Sequence, residues 1–166
     1  MKILVLIISV LTFGIFQNDS VEKGIEIYQI QRTNPDFTKK NKGKCSYCLE
    51  IAEKDLFEKP LISENQITDF DWENQKIELT EEAKLKLKKM EIPLGGTPVA
   101  MVLNGQIIYC FWLWNEHSSF GCDRVFTYTS NNLELRFGLP ITNTFGTDPR
   151  FDNRLKNYLD EQSAKN

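Results

Sequence analysis

The strongest local signal in the sequence is the stretch TPVAMVLNGQIIYCFWLW, residues 97–114. Its first apolar run leads into Asn104-Gly105, a dipeptide that readily adopts the left-handed angles of a type I′ turn. A second apolar run follows, so we expect a β-hairpin. The run before the turn is apolar on both faces, which is typical of a buried strand. The expected cross-strand pairs are Leu103 with Gln106, Met101 with Ile108, and Val99 with Cys110.

A helix is predicted directly before this hairpin. Thr80 is a good N-cap, acidic residues follow it, and lysines gather toward the far end, where they complement the helix dipole. Pro93 and Gly95-Gly96 end the element. Because the helix joins strands near Ile77 and Val99, those strands can lie parallel in one sheet through a right-handed crossover. The apolar face of the helix carries Ala83, Leu87 and Met90.

The remaining pattern predicts short strands and two further helices. Strands are expected at residues 24–32, 67–72, 75–79, 122–129 and 133–137, and a short helix at 49–57. A last helix is capped by Asp148, with Pro149 at its first position. The fold class is therefore α+β: a mostly antiparallel sheet of about five or six strands, one β-α-β crossover and two or three packed helices. A single domain spans residues 24–162.

Composition narrows the function classes. The chain has 166 residues, of which 41% are hydrophobic and 26% charged, so a disordered chain and a multi-span membrane protein are excluded. The net charge is -3, whereas a nucleic-acid-binding protein usually carries an excess of basic residues. We expect no nucleic acid partner.

The first residues are typical of a secretory signal peptide. A basic start precedes an apolar run at residues 3–16, which is shorter than the roughly 20 residues that span a bilayer. We assign residues 1–17 to the signal peptide, and expect a secreted or periplasmic protein with no stable membrane span once it is removed. A retained anchor is the alternative. Export favours disulfides over metal thiolates.

The four cysteines suggest two disulfides. If the strand ending at Trp114 and the strand beginning at Cys122 form a hairpin, Cys110 lies opposite Cys122 within bridging distance. We predict that disulfide, with two separate buried thiols as the alternative. Cys45 and Cys48 form a C-x-x-C pair before the predicted helix at 49–57, and a helix N-terminus makes the first thiol nucleophilic.

The C-x-x-C pair has three interpretations. The segment Gly96-Thr97-Pro98-Val99 resembles the segment of thioredoxin-like proteins in which a proline faces the redox pair. That resemblance implies a thiol-disulfide oxidoreductase with Cys45 as nucleophile, Cys48 as resolving thiol and Pro98 beside them in a cis peptide. The other interpretations are a structural small-ring disulfide, which we favour, and a zinc site formed by all four cysteines. We expect no metal and no cofactor.

Two further groups are candidate binding residues. Aromatic side chains surround the loop after residue 114. If they are exposed, they would form a partner-binding patch, and if they are buried, they belong to the core. The predicted partner-binding residues are Trp112, Trp114, His117 and Phe120. Arg150 and Arg154 fall on one helical face and form a candidate anion site, with a solvated ion-pair face as the alternative.

Residues 67–114 also resemble a known family. The strand-to-helix entry Lys76-Ile77-Glu78-Leu79-Thr80-Glu81-Glu82-Ala83 and the hairpin at Asn104-Gly105 are similar to the first periplasmic domain of the SecD/SecDF translocation subunit. The resemblance implies the fold of that segment, and a translocation role is not carried over from the family. The layout of residues 60–63, 71–72 and 148–150 is similar to small exported bacterial proteins of unassigned function.

These observations favour a small exported domain without catalytic machinery that binds a protein or cell-surface partner through the aromatic loop. The thiol-disulfide oxidoreductase is the alternative. An exposed aromatic patch would support the first, and an accessible Cys45 at a helix start beside a cis Pro98 would support the second.

Overall fold

The structure is a computed structural model that describes residues 24–31, 45–130 and 132–165. The predicted signal peptide lies outside these residues. The α+β class is confirmed. The elements are β1 (Ile25–Gln29), β2 (Ile67–Asp71), β3 (Lys76–Leu79), α1 (Glu81–Lys88), β4 (Thr97–Leu103), β5 (Gln106–Trp114), β6 (Cys122–Tyr128), β7 (Leu133–Glu134), β8 (Arg136–Leu139) and α2 (Asn153–Ser163).

The strands form two sheets instead of one. The main sheet has the order β1-β4-β5-β6-β8, and a smaller sheet has the order β2-β3-β7. Every pairing is antiparallel except β5 with β6. The predicted β-α-β crossover is therefore wrong, because β3 and β4 lie in different sheets. Each already has neighbours on both sides: β2 and β7 flank β3, and β1 and β5 flank β4.

The central hairpin joins β4 and β5 as expected. Asn104 has a φ of 51° and Gly105 a φ of 79°, the left-handed angles that the turn requires. Leu103 faces Gln106 as predicted, but a β-bulge between Met101 and Val102 shifts the pairing farther from the turn. Met101 consequently faces Tyr109 instead of Ile108, and Val99 faces Phe111 instead of Cys110.

The predicted hairpin between β5 and β6 is wrong. The two strands run parallel, with Trp112 beside Phe126 and Trp114 beside Tyr128. A parallel pair needs a connection of about a dozen residues. Residues 115–125 supply it, since β6 pairs with β5 only from Phe126 onward. Cys122 therefore precedes the paired segment.

Both long helices pack on the main core. In α1, Thr80 Oγ1 accepts the N–H of Ala83 at 3.3 Å, which confirms the predicted cap. The predicted start of α2 is wrong, because Asp152 caps it by accepting the N–H of Arg154 at 2.9 Å. Asp148 lies outside the helix and pairs with Arg150 instead.

The predicted helix at residues 49–57 is an extended segment with one 3-10 turn, Glu53–Asp55. Asp55 Oδ2 accepts the N–H of Ala52 at 2.8 Å and closes that turn. Leu56 then bridges to Ile30 beside β1. The apolar residues of this segment are spaced to cover a sheet face, so their helix-like spacing was misleading.

The main sheet has two different faces. One face packs against the small sheet and both helices, and this core includes Met101, Phe111, Ile77, Leu87 and Leu155. The other face is covered by the segment at residues 45–56 and forms two smaller clusters around Trp112, Trp114 and Phe126, and around Ala100 and Val102.

Candidate functional sites

Cys45 and Cys48 form a disulfide, which confirms the bridge that the sequence suggested between them. The predicted Cys110–Cys122 disulfide is wrong, because both residues are free cysteines. The cause is that β6 runs parallel to β5 and pairs with it only from Phe126 onward, so Cys122 does not lie opposite Cys110. Burial raises the pKa of each of these two thiols to about 12. They are therefore protonated at neutral pH and poor nucleophiles.

The Cys45–Cys48 ring is held to the sheet by Asp123. This carboxylate is buried, and it accepts the backbone N–H groups of Ser46 at 2.6 Å and Tyr47 at 3.0 Å. Its Oδ1 lies 3.8 Å from Cys45 Sγ. Because a carboxylate repels a neighbouring thiolate, this arrangement disfavours an activated nucleophile at Cys45. The sequence analysis did not predict this role of Asp123, although an aspartate inside a largely apolar strand is a signal that a buried partner exists.

The geometric expectations of the redox interpretation are not met. No helix begins at the Cys45–Cys48 ring, since the residues that follow it are extended. Pro98 is buried within β4, where it pairs with Trp112. In residues 24–31, 45–130 and 132–165 the cis peptide is Leu139–Pro140 and not the bond before Pro98. The predictions of a helix start at Cys45 and a cis Pro98 are therefore wrong.

The tryptophan face of the sheet is covered. Trp112 is 5% exposed and Trp114 is 1% exposed, so the prediction that they form an exposed partner-binding patch is wrong. The ring of Tyr47 packs edge-on against both, with centroid distances of 5.1 Å and 5.0 Å. Its carbonyl oxygen also accepts the indole N–H of Trp112 at 2.9 Å. Sequence analysis did not single out Tyr47, whose position inside the C-x-x-C pair is the available signal.

His117 and Phe120 remain exposed, on the loop that follows β5. This loop is joined to the loop before β4, because Ser118 Oγ donates to the carbonyl oxygen of Leu94 at 2.7 Å. Ser118 Oγ also accepts the N–H of Phe120 at 3.2 Å. Asn115 makes a second link by donating to the carbonyl oxygen of Ile92 at 2.5 Å.

A third loop, after β8, adjoins the loop that follows β5. A Cβ added to Gly121 would lie 2.6 Å from the carbonyl oxygen of Leu139, at the end of β8, and 3.0 Å from Nδ2 of Asn143 in the loop itself. Three adjoining loops thus carry exposed apolar side chains: Leu94 is 50% exposed, Phe120 is 55% exposed and Ile141 is 83% exposed. We call these three residues the loop surface. Sequence analysis found Phe120 but missed the other two, which are apolar residues within turn-rich segments.

The two candidate anion-binding arginines do not share a helical face. Arg150 precedes α2 and pairs with Asp148 at 2.7 Å, and it donates to the carbonyl oxygen of Leu135 at 2.6 Å. Arg154 lies in α2 and pairs with Asp152 at 2.7 Å. Each guanidinium thus already has a carboxylate partner, an arrangement that fits the ion-pair interpretation.

In the described residues there is no cluster of three or more His, Cys, Asp or Glu side chains that could hold a metal ion. Over the same ranges, neither helix is long and apolar enough to cross a membrane. The Cys45–Cys48 disulfide is compatible with an exported protein.

Comparison of the chain with known proteins found no matching family model, no similar curated protein and no similar solved structure. The resemblance of residues 67–114 to SecD domains therefore stays a prediction.

Proposed function

We propose that this protein is a small exported binding module that engages a protein partner through the loop surface of Leu94, Phe120 and Ile141. The observation that carries the proposal is the exposure of these three large apolar side chains on adjoining loops. Exposed apolar side chains on neighbouring loops are candidates for an interaction site. The proposal assigns no reaction to this surface.

The loops are held in place before any partner binds. Hydrogen bonds from Ser118 and Asn115 tie the loop after β5 to the loop before β4, and Gly121 packs against the backbone of Leu139. A surface that is already ordered loses little conformational entropy on binding, which favours affinity.

Charge around the loop surface indicates the chemistry of the partner. The segments 91–96, 115–121 and 139–146 contain no lysine or arginine, and they carry the exposed carboxylates of Glu91 and Glu116. We therefore expect a partner segment with apolar side chains flanked by lysine or arginine, since complementary charge promotes encounter and register.

A random peptide library tests the proposal directly. The purified domain is used to select peptides, and the affinity of an enriched peptide is measured by calorimetry against variants. We expect enriched sequences with a basic residue beside an apolar one, and a loss of at least about tenfold in affinity for Phe120→Ser, the size expected for a central aromatic contact. The matched control is Phe57→Ser, because Phe57 is 45% exposed but lies beside β1.

Two outcomes would overturn the proposal. One is a selection that enriches no peptide, and the other is a peptide whose affinity is unchanged by Phe120→Ser and Ile141→Ser together. Sedimentation of the unliganded domain is measured in parallel. A stable dimer that Phe120→Ser dissociates would show that a second copy of the chain, and not a basic peptide, occupies the loop surface.

Thiol-disulfide exchange is a second candidate function, favoured by the formed bridge between Cys45 and Cys48. The adjacent carboxylate of Asp123 counts against it. Insulin reduction by the purified protein measures this activity. Turnover that is abolished by Cys45→Ser would make this the function, and turnover no faster than free dithiol alone would remove it.

A further inference from the structure

The Cys45–Cys48 ring lies over an aromatic cluster of the main sheet. Tyr47 sits within the ring and contacts both Trp112 and Trp114, which it shields together with its neighbours. We propose that this ring is a redox-controlled cover: oxidised, it holds Tyr47 on the tryptophan pair, and reduced, it releases Tyr47 and exposes the pair. The inference is independent of the loop surface.

The ring is attached to the sheet by hydrogen bonds of its backbone. The N–H groups of Ser46 and Tyr47 bind Asp123, and the Tyr47 carbonyl oxygen binds Trp112. The disulfide closes a ring of four residues and fixes the direction of those N–H groups. When the bridge is broken, the backbone of the ring regains conformational freedom, which the contacts between the ring and the sheet must then oppose.

The segment after the ring is anchored separately. Leu49, Ile51 and Leu56 pack against the face that includes Ala100 and Val102, and Leu56 bridges to Ile30. These contacts do not depend on the disulfide. We therefore expect release to be confined to residues 45–48, with the sheet and the extended segment unchanged.

An uncovered tryptophan pair has unused binding capacity. The indole N–H of Trp114 is buried and has no hydrogen-bond partner within the described ranges. Release of Tyr47 removes the carbonyl acceptor of Trp112 as well. Both indole N–H groups can then bond water or a ligand, and the apolar ring surface that Tyr47 covers becomes exposed.

The reductant is an external dithiol. One of its thiolates attacks the sulfur of Cys45 or Cys48, breaks the bridge and forms a mixed disulfide, so that the other cysteine leaves as a thiolate and takes up a proton. The second thiol of the reagent then attacks the mixed disulfide. The dithiol is oxidised to a disulfide by two electrons, and both cysteines end as thiols.

Tryptophan fluorescence measures the opening. A Trp72→Phe background removes the third tryptophan, which packs against Phe70 and Phe151 away from the ring. Dithiothreitol is added to the full-length protein, and alkylation with peptide mass mapping verifies that Cys45 and Cys48 are reduced. We expect the acrylamide quenching constant to rise about twofold or more, with unchanged far-ultraviolet circular dichroism, because opening is local.

Variants separate opening from loss of structure. In the same background, Cys45→Ser with Cys48→Ser is expected to show the high quenching constant without reductant and no response to dithiothreitol. Reoxidation of the unmodified ring should restore the low value. The proposal is overturned if verified reduction leaves the quenching constant unchanged, or if quenching rises only together with loss of the circular dichroism signal, which would indicate global unfolding.

Discussion

Replacement of Asp123 tests how strongly the ring is held. Its carboxylate accepts two backbone N–H groups, at 2.6 Å and 3.0 Å, while 6% exposed. Hydrogen bonds to a charged group contribute about 1.5 to 3 kcal/mol each when buried, and partial exposure of the ring reduces that value. We therefore expect Asp123→Ala to lower the free energy of unfolding by about 2 to 4 kcal/mol. For a domain of this size the melting temperature should fall by about 6 to 12 °C.

Urea denaturation of the oxidised protein, followed by circular dichroism, measures the loss. The control is Asp160→Ala, whose carboxylate is 65% exposed and pairs with Lys156. An exposed ion pair contributes less than about 1 kcal/mol, so this variant should stay close to the parent. Asp123→Asn should fall between the two, since the amide keeps one acceptor but loses the charge. A loss below about 1 kcal/mol for Asp123→Ala would refute the reasoning.

Three further predictions concern the backbone, pH dependence and thiol reactivity. Gly96→Ala should destabilise the fold by about 2 kcal/mol or more in urea unfolding, because φ is +76° and the new Cβ would lie 2.8 Å from the Trp114 ring. The hydrogen bond from Arg154 lowers the pKa of Asp152 from 3.8. The ionised form is therefore favoured by folding, so its stabilisation is present above the ordinary pKa and is lost as the pH falls through the folded value. Asp152→Asn should thus be slightly less stable than the parent at neutral pH and equal to it in acid, as measured by urea unfolding at both pH values. Burial raises the pKa of Cys110 to about 12, so its rate of reaction with Ellman's reagent should increase about tenfold per pH unit above neutrality.

The central turn and the cap of α1 were predicted correctly, because each depends on a few neighbouring residues. The turn at Asn104-Gly105 requires left-handed angles, and Thr80 supplies a cap for α1, so both elements were correctly placed. The bulge beside Met101 was not predicted. Its position depends on how β4 packs between β1 and β5, which is not encoded in the turn.

Strand pairing across long sequence distances was harder to predict. The segment expected as one strand at residues 133–137 contributes to two sheets: β7 pairs with β3, and β8 pairs with β6. Leu135 lies buried between them. The change of sheet depends on pairing with two strands that are distant in sequence, β3 and β6. No residue type or spacing within the segment indicates where the change occurs.

The same limitation explains the disulfide error. The Cys110–Cys122 prediction assumed that a short loop joins antiparallel strands, which is the usual arrangement. Because β6 is parallel to β5, the two thiols stay separate, with Cys122 buried and Cys110 partly buried. The prediction of the binding site failed for the same reason. The tryptophans expected at the surface are covered by Tyr47, whose carbonyl oxygen bonds to Trp112 across 65 residues of sequence.

Disulfide mapping of the purified, unreduced protein tests the central claim most directly. Free thiols are alkylated in denaturant, the chain is cleaved by protease, and the peptides are identified by mass spectrometry. We predict one peptide that contains an internal Cys45–Cys48 bridge, with Cys110 and Cys122 both alkylated. A peptide pair linked through Cys110 and Cys122, or alkylation of Cys45, would contradict the account.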